Sequence, residues 1–196
     1  MIGLRRLDNL EACINTVILD DIPGDFIETG VWRGGACIFM RGMLKAYGVT
    51  DRFVWVADSF AGFPRNLTRD DDRALASQPD QINLSVSLKE VVDNFIKYDL
   101  CDARVGFIQG WFSETLPGPV GKLAILRLDG DLYESTMDVL VALYPRLEEG
   151  GFCIIDDWNV PMCRQAVEDY RAKHDIVDTM LDIDGHSVYW RKGDWQ

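Results

Sequence analysis

LRLDGDLYEST, residues 126 to 136, places Asp129 and Asp131 around a glycine directly after a run of apolar residues, and CIIDDW places the pair Asp156 and Asp157 after another. Carboxylates in such places do two kinds of work: they move protons, and they hold hard cations through oxygen. If the two runs are neighbouring strands, three or four carboxylates crowd into one cleft. Like charges that close raise one another's pKa or repel, and a divalent cation between them relieves both. All-oxygen ligation with positions left open for water or substrate suits Mg²⁺, whereas Zn²⁺ would want His or Cys. His174 and His186 fall in the terminal helix and hairpin and are read as solvated or internally satisfied. Singly, each aspartate is equally a cap or a turn residue.

A second set of residues suits a small ligand. In ETGVWRGG (28 to 35), Gly30, Gly34 and Gly35 let the backbone turn sharply and approach a ligand closely. Their spacing is not the G-x-G-x-x-G of a dinucleotide fingerprint, which argues against a dehydrogenase. Glu28 before the first glycine, with Thr29 beside it, suits a ligand carrying a cationic amine, such as the amino acid portion of S-adenosylmethionine. Asp58, followed by Ser59, ends another apolar run, and a carboxylate there can accept from two adjacent ribose hydroxyls. GWFSETLP adds Gly110, Trp111 and Phe112, whose rings could wall an adenine or simply be core.

These residues need a frame that brings them together. Five short apolar runs, DFIET (25 to 29), FVWVAD (53 to 58), RVGFIQG (104 to 110), LAILRLD (123 to 129) and GFCIID (151 to 156), alternate with amphipathic stretches. That is the pattern of a parallel sheet between helices. Helices are expected over 8 to 20, 36 to 47, 87 to 98, 133 to 147 and 162 to 173; the third opens with the capping pair Ser87 and Glu90, the last just after Pro161. IVDTMLDI and SVYWRK flank Asp184-Gly185, a hairpin signal, so the sheet is expected to finish antiparallel. Residues 61 to 84, with Asp70, Asp71 and Asp72 in a row and prolines at 64 and 79, read as a long polar loop of the kind that covers an active site. In open parallel sheets ligands bind beyond the carboxyl ends of the strands, where all the candidate residues lie.

The totals bound the rest. The 196 residues, 47% hydrophobic, suit one domain over residues 1–196. A net charge of −12, from 32 acidic against 20 basic residues, makes nucleic acid and anionic membranes poor partners. Five scattered cysteines with no C-x-x-C pair point to reduced thiols, and no apolar stretch is long enough to span a membrane. A cytoplasmic protein is expected.

The chain resembles the macrocin O-methyltransferase family. The resemblance is carried by IETGVWRGGACIFMRGMLKAYGV, VWVADSFAGFP, GWFSETLP, LRLDGDLYESTMDVLVALYPRLEEGGFCIIDDW and CRQAVEDYR, nearly the whole length. It implies a class I methyltransferase fold: an α/β, Rossmann-like three-layer sandwich around a mostly parallel seven-stranded sheet whose last strand is antiparallel. It implies S-adenosylmethionine- and Mg²⁺-dependent methylation of a sugar hydroxyl on a macrolide-like or related glycosylated small molecule. By motif, Glu28 and Gly30 would hold the methionine end of the cofactor, Asp58 and Ser59 the ribose, and Trp111 and Phe112 the adenine. Thr29, Gly34, Gly110 and Asp129 are further candidate cofactor contacts. Asp129, Asp156 and Asp157 would be the metal ligands and Asp131 the general base.

Members of that family carry further N-terminal helices that cover the active site and form the oligomer. This chain opens at MIGLRRLDNLEACI, close to its first core helix. A homo-oligomer is one expectation that the resemblance carries, and the opening of the chain makes a cofactor-binding protein without catalysis a competing reading. Asp129-x-Asp131 alone would also fit a metal-dependent glycosyltransferase, which leaves the glycine turn and Asp156-Asp157 without roles.

Overall fold

The computed structural model describes residues 2–78 and 84–193. Seven strands form one sheet: β1 (Asp25–Thr29), β2 (Val54–Asp58), β3 (Val105–Gln109), β4 (Leu123–Leu128), β5 (Leu147–Ile155), β6 (Leu181–Asp182) and β7 (Val188–Arg191). Their order is β3-β2-β1-β4-β5-β7-β6, with β1 to β5 parallel and β7 antiparallel to both its neighbours. The strand order reverses between β1 and β4, which opens a crevice at their carboxyl ends.

Side chains alternate across the sheet and sort the helices into two layers. Phe26, Val54, Val56, Ile125, Phe152 and Ile154 face α1 (Leu4–Leu19), α2 (Gly35–Ala46) and α4 (Leu88–Lys97). Ile27, Ala57, Leu126, Leu128, Cys153 and Ile155 face α6 (Tyr133–Leu143) and α7 (Pro161–Lys173). In α1, Leu10, Ile14 and Val17 form the buried stripe, and each such side chain contributes about 1.5–3 kcal/mol on leaving water. The Ser87 side chain accepts the Glu90 N–H at 3.2 Å and caps α4, and Pro161 opens α7.

Three segments differ from the sequence expectation. The helix expected over 133 to 147 stops at Leu143 and a 3₁₀ turn covers Tyr144–Arg146, because Pro145 lacks the N–H and the space to continue an α-helix. β5 starts at Leu147, before the expected 151. The polar loop expected over 61 to 84 contains a helix, α3 (Asp70–Ala76), whose first turn holds the three consecutive aspartates favoured at the positive end of a helix. Pro79 and the rest of 79–83 lie outside the described residues. A one-turn helix, α5 (Phe112–Thr115), follows β3. The five cysteines are free, and no helix among the described residues is long and apolar enough to cross a membrane.

Candidate active site

The strand ends converge on a cavity of about 1050 Å³. Its wall includes Glu28, Gly30, Asp58, Ser59, Gly110, Trp111, Phe112, Asp129, Asp131, Asp156 and Asp157, so residues scattered from 28 to 157 in sequence form one site. Thr29 is buried behind that wall, and Gly34 shapes the turn into α2 with φ +79°. Three non-glycine residues around the cavity adopt left-handed backbone: Trp32, Phe60 and Asp131. They follow β1, β2 and β4 respectively, and such strain gathers where the surrounding structure enforces it.

Strand register explains the charged cluster. Glu28 on β1 lies level with Arg127 on β4, and Arg127 is level with Ile154 on β5, two residues before Asp156. Alternation puts Glu28, Arg127 and Asp156 on the α1–α2 side of the sheet. The buried Arg127 guanidinium bridges Glu28 and Asp156 and reaches Asp129 Oδ2 at 2.8 Å. From α1, Arg6 reaches the other oxygen of Asp156 at 2.6 Å and Asp184 at 2.7 Å. Asp129, Asp156 and Asp157 each offer an oxygen such that the three lie within 4.8 Å of one another. The Asp131 N–H donates to Asp157 Oδ2 at 3.0 Å, which sets its own carboxyl beside the trio.

Six carboxylates, Asp184 included, thus gather around two guanidinium groups. Burial, followed by the charges of Asp129 and Asp156, pushes the Asp131 carboxyl up to about 7. Burial and Asp129, Asp131 and Asp156 push Asp157 well above the carboxylate range. Asp156 moves up less freely, because Arg127 and Arg6 oppose burial and Asp129. Burial raises Glu28 to about 7 against the pull of Arg127, and its other oxygen accepts the Cys37 thiol at 3.0 Å.

The remaining candidates are built into turns. Asp58 accepts the N–H groups of Val31 and Phe60, both at 2.8 Å, so it ties the ends of β1 and β2 together where it lines the cavity. The Ser59 hydroxyl donates to Gly62 O at 2.7 Å. Trp111 precedes α5 and Phe112 begins it. Arg127 and Arg6 were not anticipated from the sequence. An arginine inside an apolar strand, in phase with a glutamate next to the end of another, was the available signal for Arg127; Arg6 carried none.

Sheet order, crevice and acidic strand ends together define a class I methyltransferase. A family model described as "Macrocin-O-methyltransferase (TylF)" matches residues 1–192, and the chain belongs to this family of O-methyltransferases. Mycinamicin III 3''-O-methyltransferase of Micromonospora griseorubida is 52% identical over 198 residues, covering 98% of this chain and 78% of that protein. An 8-demethyl-8-(2,3-dimethoxy-alpha-L-rhamnosyl)-tetracenomycin-C 4'-O-methyltransferase of Streptomyces olivaceus is 53% identical over 195 residues, covering 97% and 74%. The solved structure of the O-methyltransferase NovP superposes with a TM-score of 0.94 at 51% identity, over 97% of this chain and 81% of that one. The glycosyltransferase reading of Asp129-x-Asp131 is set aside on these findings.

Proposed function

We propose that residues 1–196 act as one domain that methylates a sugar hydroxyl of a glycosylated small molecule, with S-adenosylmethionine as methyl donor and Mg²⁺ as metal. The observation that carries this reading is the convergence of Asp129, Asp156 and Asp157 beside Asp131 in the crevice between β1 and β4.

The residues fit both groups. For the metal, the donor set is all carboxylate and its charge exceeds what Arg6 and Arg127 supply. For the cofactor, the Trp32 Nε1–H at the cavity is buried without a partner among the described residues, and Gly30 presents bare backbone in the cavity wall. Glu28, Thr29, Gly30 and Gly34 would hold the amino acid end, Asp58 and Ser59 the ribose, and Gly110, Trp111 and Phe112 the adenine, with Asp129 between cofactor and metal. S-adenosylmethionine supplies the methyl group as a sulfonium. Mg²⁺ held by Asp129, Asp156 and Asp157 would orient vicinal hydroxyls and lower the pKa of one.

A sugar hydroxyl is a poor nucleophile at neutral pH. Asp131 would accept its proton on a carboxylate oxygen as the hydroxyl oxygen takes up the methyl carbon, the carbon–sulfur bond of the sulfonium donor breaking with its electron pair left on sulfur. Arg127 and Arg6 hold Asp156 in place through both its oxygens, so the site is preorganised. Phe63, Leu67 and Met137 give the cavity apolar surface suited to an aglycone.

Thermal unfolding with S-adenosylhomocysteine, with Mg²⁺ or with EDTA, tests the cofactor first. A ligand at about 100 times its dissociation constant stabilises by about 2.7 kcal/mol. Methyl transfer to phenyl α-L-rhamnopyranoside, a simple glycoside with vicinal hydroxyls, then tests the acceptor. No shift with S-adenosylhomocysteine overturns the reading; a shift without transfer to any glycoside favours a cofactor-binding protein that does not catalyse.

A further inference from the structure

Two carboxylates that face opposite ways fasten the segment containing α3 to the turn that bears Asp131. Asp72, in the first turn of α3, is fully buried, and its two oxygens accept the N–H groups of Tyr133 at 2.8 Å and Glu134 at 2.9 Å. These are the first two residues of α6, whose amides would otherwise lack partners. Glu134 answers in the other direction. Its Oε1 accepts the Thr68 N–H at 2.7 Å, the Thr68 hydroxyl at 2.6 Å and the Arg69 N–H at 2.8 Å. The Arg69 guanidinium lies 3.9 Å from the Tyr133 ring centroid and closes the contact.

The turn between β4 and α6 is four residues long; within it the Leu132 N–H donates to Gly130 O at 2.6 Å, and the Asp131 N–H donates outward to Asp157 Oδ2 at 3.0 Å. Asp131 within it holds a left-handed φ of +56°, a conformation that aspartate tolerates better than most side chains but that still costs energy. One end of the turn is fixed by the sheet, where the Asp129 N–H donates to Thr29 O at 2.9 Å. The other end is the first turn of α6, which Asp72 holds. Tyr133 and Glu134 also line the cavity, as do Leu67 and Thr68 on the facing segment.

We propose that Asp72 is a positioning residue for methyl transfer: through the first two amides of α6 it fixes the turn that carries Asp131, and it makes that turn and the 63–78 segment a single unit. This rests on the reading of Asp131 as the group that takes the hydroxyl proton. An acceptor seated against the segment is thereby aligned with Asp131, although Asp72 itself touches no substrate. The loss of Asp72 therefore acts on turnover and acceptor binding, and spares the cofactor end of the site, which β1, β2 and β3 build.

The test compares the full chain with Asp72→Ala, Asp72→Asn and Glu134→Ala. Amide exchange at Asp131, affinity for S-adenosylhomocysteine, and kcat and KM with phenyl α-L-rhamnopyranoside are measured. Asp72→Ala is expected to leave the cofactor dissociation constant within about twofold, to speed exchange of the Asp131 amide at least about tenfold, and to lower kcat about ten- to hundredfold. Asp72→Asn keeps one acceptor oxygen and recovers part of each loss. Glu134→Ala shifts the same quantities, and the double variant loses less than the two effects combined, because both act on one contact.

A lower melting temperature with unchanged Asp131 exchange and unchanged kcat per bound cofactor would show a purely structural role and overturn the proposal. If Asp72→Ala does not fold, Asp72→Asn and Glu134→Ala decide it by the same readouts. Exchange that responds at Asp131 in a chain that methylates no glycoside upholds the coupling and fails the functional reading. Methylation by the wild-type chain with no response at Asp131 fails the coupling alone.

Discussion

A Cβ placed on Gly30 would stand 1.8 Å from the carbonyl oxygen of Asp129. The ends of β1 and β4 are therefore as close as two backbones can come, at the point where the strand order reverses. Gly30 also holds φ +83°, which costs a residue with a side chain about 1–2 kcal/mol before any clash is counted. Gly30→Ala is expected to destabilise the chain by more than that strain, a large share of the roughly 5–15 kcal/mol that holds a domain folded. The urea midpoint measures it. A midpoint equal to wild type would mean that the strand ends can part freely.

Arg127 is buried and bonded to carboxylates on three segments. Arg127→Met leaves Glu28 and Asp156 without their shared partner, and breaking a buried ion network this way costs about 3–5 kcal/mol. Arg127→Lys keeps the charge but replaces a planar fork with a point charge and recovers only part. Denaturant unfolding of the two variants, ranked against wild type, checks the order.

On the proposed roles, with Asp131 taking the proton and Asp129 holding the metal, substitutions at the two positions should have different effects. Asp131→Asn is expected to lower kcat about 10²–10⁴-fold while the affinity for S-adenosylhomocysteine stays near wild type. Asp129→Ala removes Mg²⁺-dependent transfer altogether with cofactor binding largely kept. Full activity in Asp129→Ala would refute the metal assignment.

Away from the cavity wall, the pair of Arg41 in α2 and Asp102 just before β3 gives a pH signature of stability. A hydrogen bond from the buried Arg41 guanidinium, at 2.6 Å, holds the Asp102 carboxyl below its ordinary value of 3.8. The unfolded chain takes up this proton first as pH falls, so the contribution is complete above the ordinary carboxylate range and is lost as pH falls through the lower folded-state value. Asp102 is 40% exposed, so the effect is that of a screened pair, about 1 kcal/mol or less. The gap in urea midpoint between wild type and Asp102→Ala is expected at pH 7 and should narrow below pH 3.

Most strands could be read from the sequence because each is a short apolar run closed by Asp or Gly, and parallel strands buried on both faces leave that trace. The residues at their ends that line the cavity could be picked out for the same reason. α3 could not, because its fully buried residue is Asp72 and a helix held by a polar clamp has no apolar stripe to betray it. Arg127 escaped because its partners Glu28 and Asp156 lie 99 and 29 positions away and meet it only through strand register. Arg6 escaped because its contact with Asp156 depends on how α1 lies across the sheet, which spacing alone does not encode.

The position of β7 has a consequence for how the site is made. β7 covers the outer edge of β5, with Trp190 level with Cys153 and fully buried, and the Ser187 hydroxyl donates to Asp156 O at 2.7 Å. Without β7, the strand that delivers Asp156 and Asp157 would have a bare edge, the kind of surface on which chains pair wrongly. The acidic site is thus complete only once the latest-made strand of the sheet is in place.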